Sequence, residues 1–341
     1  MQPSDDTAAQ DLVVRAQAGD GEAFRQLSEP YRQELLVHCY RMLGSLQDAE
    51  DTLQETMLAA WMAMPGFQAR SSVRTWLYAI ATNRALNARR ATRRRPAKQW
   101  DVPGVEPPAA TRLGEVVWLE PIPDEYIAGL GTAPGPEARY EQRESISLAF
   151  ITALQMLPPR QLAVLVLRDV LGYRASDVAN MLHTTTESVT SALKRARATL
   201  RQTPPLDTDR DTAPPSNSAD EAELVDRFVH AYEASDVDAI IALLTDDVFL
   251  SMPPMPFEYE GKVVVAEFWQ LLFNADRKYR LVPTRANAQP AVGSYVRAAD
   301  GTFHGTGVFV ITVVGHRISA LTRFENTVLP RFGLPRSLPA R

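Results

Sequence analysis

Between Arg84 and Lys98 the chain places six arginines and one lysine, with no acidic residue among them. Cations at that density neutralise phosphates, and binding built on them falls steeply with salt. Just upstream, Arg70, Arg74, Trp76, Tyr78 and Asn83 mix cations, aromatic rings and an amide, a combination suited to unstacked, single-stranded bases. Trp76, Leu77, Ile80 and Ala81 also recur at helical spacing, so Trp76 reads equally well as core. A second basic cluster, Lys194, Arg195, Arg197 and Arg201, lies in residues 171–201, LGYRASDVANMLHTTTESVTSALKRARATLR. A third set of residues could act as acids and bases: Asp247, Glu258, Glu267, His304 and His316. General acid–base work needs such groups paired in an apolar site, and no spacing pairs these five.

The elements that must position these groups are mostly helical. In 171–201, Val178, Ala179 and Leu182 share one face of a first helix. Val189, Leu193, Ala196 and Leu200 share one face of a second. His183-Thr184-Thr185 is too short and polar to continue either, and Thr185 or Thr186 can cap the second. Two short helices joined by a tight turn, the second ending in cations, make a helix-turn-helix. Its second helix exposes Thr186, Glu187, Ser188, Thr190, Ser191, Lys194, Arg195 and Arg197. The N-terminal residues of that helix would meet base edges, and Lys194, Arg195 and Arg197 would hold phosphates.

Residues 9–64 read as helical. Asp11 is placed to cap a first helix, which Gly19-Asp20-Gly21 breaks. A second runs from about Glu22 through Phe24, Leu27 and Tyr31 and inward to Leu35, Leu36 and Cys39, ending at Leu43-Gly44. In DAEDTLQETMLAAW, residues 48–61, Ala49, Leu53, Met57 and Trp61 repeat every four residues. Asp48, Glu50, Asp51, Gln54 and Glu55 fall on the other faces. A solvated acidic face is the ordinary reading of that spacing; a surface for a basic partner is the alternative. Pro65-Gly66 stops the helix.

Composition bounds the rest. The chain has 341 residues, enough for two or three domains, and a formal net charge of −5. That balance does not point to a nucleic-acid binder, but the clustering of the basic residues does. Cys39 is the only cysteine, which excludes an intramolecular disulfide and a cysteine metal cluster; no cofactor is expected. The polar, acidic start MQPSDDTAAQ is unlike a signal peptide, and no apolar run is long enough to cross a bilayer. The expected compartment is the cytoplasm.

The order of these motifs is DAEDTLQETMLAAW, then FQARSSVRTWLYAIATNRALNARR, a linker, LPPRQLAVLVLRDVLGY and the helix-turn-helix. It resembles the extracytoplasmic-function sigma factors, promoter-specificity subunits of bacterial RNA polymerase in the sigma-70 family. The resemblance covers about residues 9–95, as region 2, and 140–202, as region 4. It implies that helix 48–61 docks on the clamp helices of the polymerase largest subunit. It implies that 67–95 melts and reads the minus-ten element, through Arg70, Arg74, Trp76, Tyr78, Asn83, Arg84, Arg89 and Arg90. Asn83, with a loop at about 67–73, would hold a flipped base. The helix-turn-helix would read the minus-thirty-five element. Core RNA polymerase and promoter DNA are the implied partners.

Residues 96–139 are rich in proline and glycine and carry no period, so they read as a linker. Within them VVWLEPIPDEYI, 116–127, is apolar and acidic. In sigma factors such a linker threads the polymerase cleft; packing on the protein's own surface is the other reading, and both stay open. Pro158-Pro159 opens a helix whose apolar body, Gln161 to Val170, supports the helix-turn-helix. Residues 202–219 form a second, polar linker.

From Glu221 the pattern changes. Helices are expected at 221–235, 238–244 and 261–273, and strands at 248–250, 284–288, 291–298, 306–314 and 317–326, with turns at Asp300-Gly301 and Gly315-His316. Helices followed by an antiparallel sheet make an α+β domain. With SMPPMPFEYEGK at 251–262, residues 220–330 resemble the SnoaL-like cone, a fold shared by polyketide cyclases, ketosteroid isomerases and many non-enzymes. The expected fold class is multidomain: two all-α sigma domains, the second a helix-turn-helix, then an α+β cone. The expected function is a sigma factor, not an enzyme, whose cone modulates activity and has room for a small ligand. The alternative is a helix-turn-helix regulator with a ligand-binding or cyclase-like C-terminal domain.

Overall fold

The computed structural model describes residues 3–92, 95, 97–100, 106–114, 118–128, 144–201, 218–274 and 277–340. Arg93, Arg94, Val116, Val117 and all but the last two residues of the expected linker 202–219 lie outside them. The chain divides into two units, one built from residues 1–94 and 153–203, the other from 95–128, the stretch ending at 152, and 204–341.

In the first unit, helix α1 (Pro3–Gln17) begins eight residues before Asp11, which lies inside the helix and does not cap it. Asp20 is the capping acid. Its carboxylate accepts from the N–H groups of Glu22 and Ala23 and so starts α2 (Gly21–Ser28). The expected single helix from Glu22 to Leu43 is two. Pro30 lies in a short 3-10 turn, Glu29–Tyr31, between α2 and α3 (Arg32–Leu43). Gly44 ends α3 in the left-handed conformation, φ +74°. Helix α4 (Leu46–Ala63) follows, capped by Ser45, and then α5 (Val73–Thr92).

After the linker come α6 (Leu148–Met156), α7 (Pro159–Leu165), a π-type turn at Val166–Val170, α8 (Ala175–Met181) and α9 (Thr186–Arg201). Pro159 stands at the first position of α7, as the sequence suggests.

The core of α3 to α5 holds an imidazole with no room to be charged. His38 is fully buried; its Nε2 lies 2.9 Å from the Thr82 hydroxyl and its ring packs edge-on against Tyr78. Burial first, then the nearby cations Arg41 and Arg74, hold its pKa down at about 3.

The second unit is a curved sheet with helices against it. Helices α10 (Ala219–Glu233) and α11 (Val237–Ala242) lead into β2 (Leu244–Met252), β3 (Met255–Glu260) and α12 (Lys262–Phe273). Then come β4 (Tyr279–Ala286), β5 (Gln289–Arg297), β6 (Phe303–Val314), β7 (Arg317–Glu325) and the short β8 (Ser337–Leu338). Strand β2 starts at Leu244, where the sequence suggests the end of a helix. Strand β4 starts at Tyr279, ahead of the expected Thr284, and β3 is not anticipated as a strand at all.

The sheet order is β1-β3-β2-β7-β6-β5-β4, with β8 on β6. Its first strand, β1 (Arg112–Leu113), comes from the linker between the two halves of the first unit. At the other edge, Pro123 bridges to Ala286 of β4. Phe228, Tyr232, Trp269, Val292, Phe309, Ile311 and Leu321 fill the apolar face between sheet and helices. On β6, Gly307 takes φ +152°, and a β-carbon there would lie 1.9 Å from the carbonyl oxygen of Phe324. Only glycine fits that crossing.

The depressed pKa of His38 links stability to pH. The folded protein resists protonation that the unfolded chain accepts below its ordinary value near 6.5. His38 therefore contributes stability above that pH, and the contribution falls by about 1.4 kcal/mol per pH unit as acid is added toward pH 4. Urea unfolding at pH 7, 5.5 and 4.5 should show this slope, and His38→Gln should flatten it relative to the parent chain. An equal slope in both would mean that His38 is already protonated in the fold.

Candidate nucleic-acid interface

Helix α9 is built to show one face and bury the other. Val189, Ala192, Leu193 and Ala196 are buried at helical spacing. Thr186, Glu187, Ser188, Thr190, Ser191, Lys194, Arg195 and Arg197 are all exposed. The cap is Thr185, whose hydroxyl accepts from the Ser188 N–H at 3.2 Å. In the turn before it, His183 takes a left-handed φ of +49°, and the Thr184 N–H closes on the Ala179 carbonyl at 2.9 Å. Four residues, 182–185, thus separate α8 from α9, with Val178 and Ala179 buried beneath. This is helix-turn-helix geometry.

One of its cations already has an anion. Arg197 donates twice to the Asp169 carboxylate, both at 2.8 Å. That hydrogen-bonded partner raises the guanidinium pKa further. The pair is open to solvent, where such bridges are weak, so a phosphate can replace the carboxylate.

The eight residues expected at the minus-ten element, Arg70 ahead of α5 and seven on it, divide. Arg70, Arg84 and Arg90 are exposed. Trp76 is half-buried, 4.9 Å from the Phe67 ring. Tyr78 and Arg89 depart from the expectation that they line a surface. Tyr78 is fully buried between His38 and Tyr173, beneath the Arg74 guanidinium, 4.8 Å from its ring. It is closed to a base in this arrangement. Arg89 is 4% exposed and donates to the carbonyls of Met42, Gln155 and Leu157.

The remaining two residues tie α5 to the helix-turn-helix half of the same unit. Asn83 donates to its own helix at Ala79 O (2.8 Å) and to Met181 O at the end of α8 (3.1 Å). Arg74 is held twice by Glu34, at 2.8 and 2.9 Å, and donates to the Tyr173 hydroxyl at 3.3 Å. The Glu34 hydrogen bonds raise the Arg74 pKa, so its charge is permanent. Four side chains expected on single-stranded DNA, Arg74, Tyr78, Asn83 and Arg89, are therefore engaged with residues 155–181.

Helix α4 carries the candidate partner surface. Asp48 is buried, contrary to its expected place on the open face. It stands three residues after the cap Ser45, whose hydroxyl accepts from the Asp48 N–H. Ser-x-x-Asp is a helix-start signature, and that signal was legible. Glu50 is half-buried, and Asp51, Gln54 and Glu55 are exposed. Sequence reasoning missed what continues their strip: Leu58 is 61% exposed and Met62 73% exposed. Positions 51, 55, 58 and 62 share one helix face, acidic at its start and apolar at its end.

In the second unit the five candidate acids and imidazoles are not brought together. Asp247, Glu267, His304 and His316 are exposed. Glu258 accepts from Arg112 at 2.6 Å. His304 lies 3.0 Å from the Ser337 hydroxyl and 3.2 Å from that of Thr302. Among the described residues no group of three His, Cys, Asp or Glu side chains could hold a metal ion, and no helix is long and apolar enough to cross a membrane.

Comparison with known proteins agrees with this division. The family model for Sigma-70 region 2 matches residues 27–95, that for Sigma-70, region 4 matches 147–200, and that for the SnoaL-like domain matches 225–321. The ECF RNA polymerase sigma factor SigG of Mycobacterium tuberculosis is 42% identical over 324 residues, spanning 92% of this chain and 85% of the relative. RNA polymerase sigma-H factor of Pseudomonas aeruginosa is 31% identical over 191 residues, 55% of this chain and 89% of that one. The crystal structure of the extracytoplasmic function sigma factor SigJ of M. tuberculosis superposes with a TM-score of 0.58 at 23% identity, covering 90% of this chain and 98% of that one. It shares the fold, cone included.

The Arg197–Asp169 pair yields a prediction in two directions. Arg197→Ala should weaken binding to all duplexes alike and lower the slope of log K against log salt by about 1. Asp169→Asn should tighten non-specific binding several-fold. Anisotropy titrations on two unrelated duplexes across a salt series would check both; a loss confined to one sequence would give Arg197 a base-reading role instead.

Proposed function

This chain belongs to the extracytoplasmic-function RNA polymerase sigma factors, and from that premise we propose how its own residues divide the work of promoter-specific initiation. The region 2 half comprises residues 9–95, the region 4 half 140–202, and the cone 220–330, joined by linkers 96–139 and 203–219. The observation that carries the assignment of roles is the pair of exposed faces. One is the strip Asp51, Gln54, Glu55, Leu58 and Met62 on α4; the other is the eight-residue polar face of α9.

The α4 strip docks on core RNA polymerase. Its acids meet a basic surface, and Leu58 and Met62 supply the apolar contact that gives such an interface most of its energy. Helix α9 enters the major groove of the minus-thirty-five element. Its first turn, Thr186 to Thr190, offers hydroxyls and a carboxylate to base edges. Lys194, Arg195 and Arg197 hold phosphates and set register. At the minus-ten element Arg70, Arg84 and Arg90 track the backbone of the separated strand. Asn83, released from Met181, holds an extruded base, and that pocket must offset a few kcal/mol of lost stacking.

The cone works as a modulator and carries out no turnover. The geometry supporting this is that Asp247, Glu267, His304 and His316 point to solvent while Glu258 is neutralised by Arg112. The protein acts where the polymerase and chromosome are, in the cytoplasm. Run-off transcription with core polymerase on genomic promoter fragments tests the whole reading. Discrete start sites that require this chain are expected; random or absent initiation would remove it.

Two variants test the roles. Leu58→Ala with Met62→Ala should weaken core binding by about tenfold or more, the scale of two apolar side chains losing contact. Because both are exposed in the free protein, its melting temperature should not move. Unchanged affinity would assign the strip to plain solvent. Asn83→Ala should leave core binding intact and slow promoter opening, seen as reduced permanganate reactivity of minus-ten thymines. Normal reactivity would take Asn83 out of that role.

A further inference from the structure

The linker between the two DNA-reading halves is bound by the cone along most of its described length. Lys98 donates its N–H to Pro254 O at 3.1 Å and pairs with Glu325 at 2.5 Å. Trp100 packs edge-on against Phe257 and Phe268, at the border of the cone's aromatic interior. The N–H groups of Thr111 and Gly114 bond to Glu258 O (2.9 Å) and Pro256 O (2.7 Å), adding β1 to the free edge of β3. Arg112 closes this edge on the Glu258 carboxylate at 2.6 Å and lies over the Phe249 ring.

Further along, Asn287 grips two linker segments at once. It is fully buried with φ +56°. It accepts from the Ile122 N–H at 3.1 Å, donates its own N–H to Ile122 O at 2.9 Å, and donates its side-chain amide to Ile146 O at 2.9 Å. Asp124 accepts from Arg285 (2.9 Å) and from the Ala288 N–H (2.8 Å), and Gln289 accepts from the Leu148 N–H.

We propose that the linker segments at 98–100, 111–114, 122–124 and 146–148 are the cone's built-in peptide ligand, bound by strand addition and the Trp100 plug, and that initiation requires this strap to peel off the β3 edge. Strand addition of this kind draws affinity from main-chain hydrogen bonds and specificity from side-chain pockets. The inference rests on the sigma-factor reading given above. Promoter elements about 25 base pairs apart are separated by roughly 85 Å of duplex. Residues 95–147 could reach roughly 170 Å if extended. The linker's described residues are instead pinned to the cone at 98–100, 111–114, 122–124 and 146–148. The strap withdraws the slack that the two reading halves need. A segment held this way is also unavailable to any channel of the polymerase.

Attachment is intramolecular, so each contact can be weak while the strap stays closed. Core polymerase opens it only by binding the released form more tightly than the strapped one. An aromatic or apolar molecule entering beside Phe257 and Phe268 in place of Trp100 would act in the same direction.

The register supplies the test, because Arg112 and Glu258 are directly opposed. That spacing suits a disulfide, and the native Cys39 is buried and its thiol pushed up to about 12, so it stays out of the exchange. The full chain carrying Arg112→Cys and Glu258→Cys should cross-link under mild oxidation. It should then lose at least fivefold in run-off transcript, with recovery on reduction. The release variant Trp100→Ala with Gly114→Pro should raise output at least threefold at limiting polymerase. Gly114→Pro loosens the edge because it removes the N–H that donates to Pro256 O at 2.7 Å.

Hydrogen exchange provides a readout independent of initiation: the Thr111 and Gly114 amides should be protected in the free wild-type chain and exposed once core polymerase is added. Failure to cross-link, full activity of the oxidised chain, unchanged output of the release variant or persistent protection on core would each overturn the strap. A reduced chain that binds core, loses protection and yet starts no transcript would overturn the promoter-directing reading and leave the strap standing.

Discussion

A buried guanidinium, with Asn83 and Arg74 further up the same helix, ties α5 to residues 155–181. Arg89 lies on α5, and its acceptors are main-chain carbonyls at the ends of two other helices: Met42 in the last turn of α3, and Gln155 and Leu157 at the end of α6. A cation is well placed there, where helix dipoles and unsatisfied carbonyls concentrate negative potential. It is also nearly dry, and removing one side of a buried charge interaction costs several kcal/mol. Residues 42, 89, 155 and 157 are thus fixed together by a group that cannot be neutralised at any physiological pH. Asn83 and Arg74 then fall into place further up the same helix, against Met181 and Tyr173. Opening this unit means giving Arg89 other acceptors.

The same economy governs the other cations. Arg197 is stored on Asp169 and Arg74 on Glu34. The chain as a whole is acidic, yet Lys194, Arg195, Arg84 and Arg90 stand on open faces. On the roles proposed above, steering by these open cations and exchange at the two paired ones would give a binding reaction whose salt dependence reports the number of exchanges made.

Periodicity made the helix-turn-helix legible, because Val189, Leu193 and Ala196 repeat on one face and leave a continuous polar face opposite. The same logic, carried further along α5, would have found the buried residues: Tyr78, Thr82, Ala85 and Arg89 lie at i, i+4, i+7 and i+11 on one stripe. Chemical type obscured that, since an arginine inside a basic run reads as a phosphate ligand before it reads as core. On α4 the reverse held. The acids stand out in the sequence, and Leu58 and Met62, off the stripe of Ala49, Leu53, Met57 and Trp61, receive no reading from it. In the cone, β5, β6 and β7 announced themselves by β-branched runs and turns. Strand β3 did not, because Pro256 within MPFEYE demotes the segment, and one of its two neighbours, β1, lies more than a hundred positions away in sequence.

That distant pairing answers a difficulty every open sheet faces. An unpaired edge strand is a template for association with other chains. The sheet here has two edges, β3 and β4, and the interdomain linker meets both: β1 pairs with the first, and Pro123 bridges to Ala286 on the second. Proline and short strands are the usual devices for blunting an edge, and the linker supplies both from outside the domain. A cone that closed its own edges could drift from the rest of the chain without consequence. One whose edges are finished by the linker cannot release that linker without exposing β3, so core polymerase, or whatever else draws the linker away, must compete with the stability of the sheet itself. On the strap proposal, control by the cone rests on strand pairing and requires no catalytic residue in its interior.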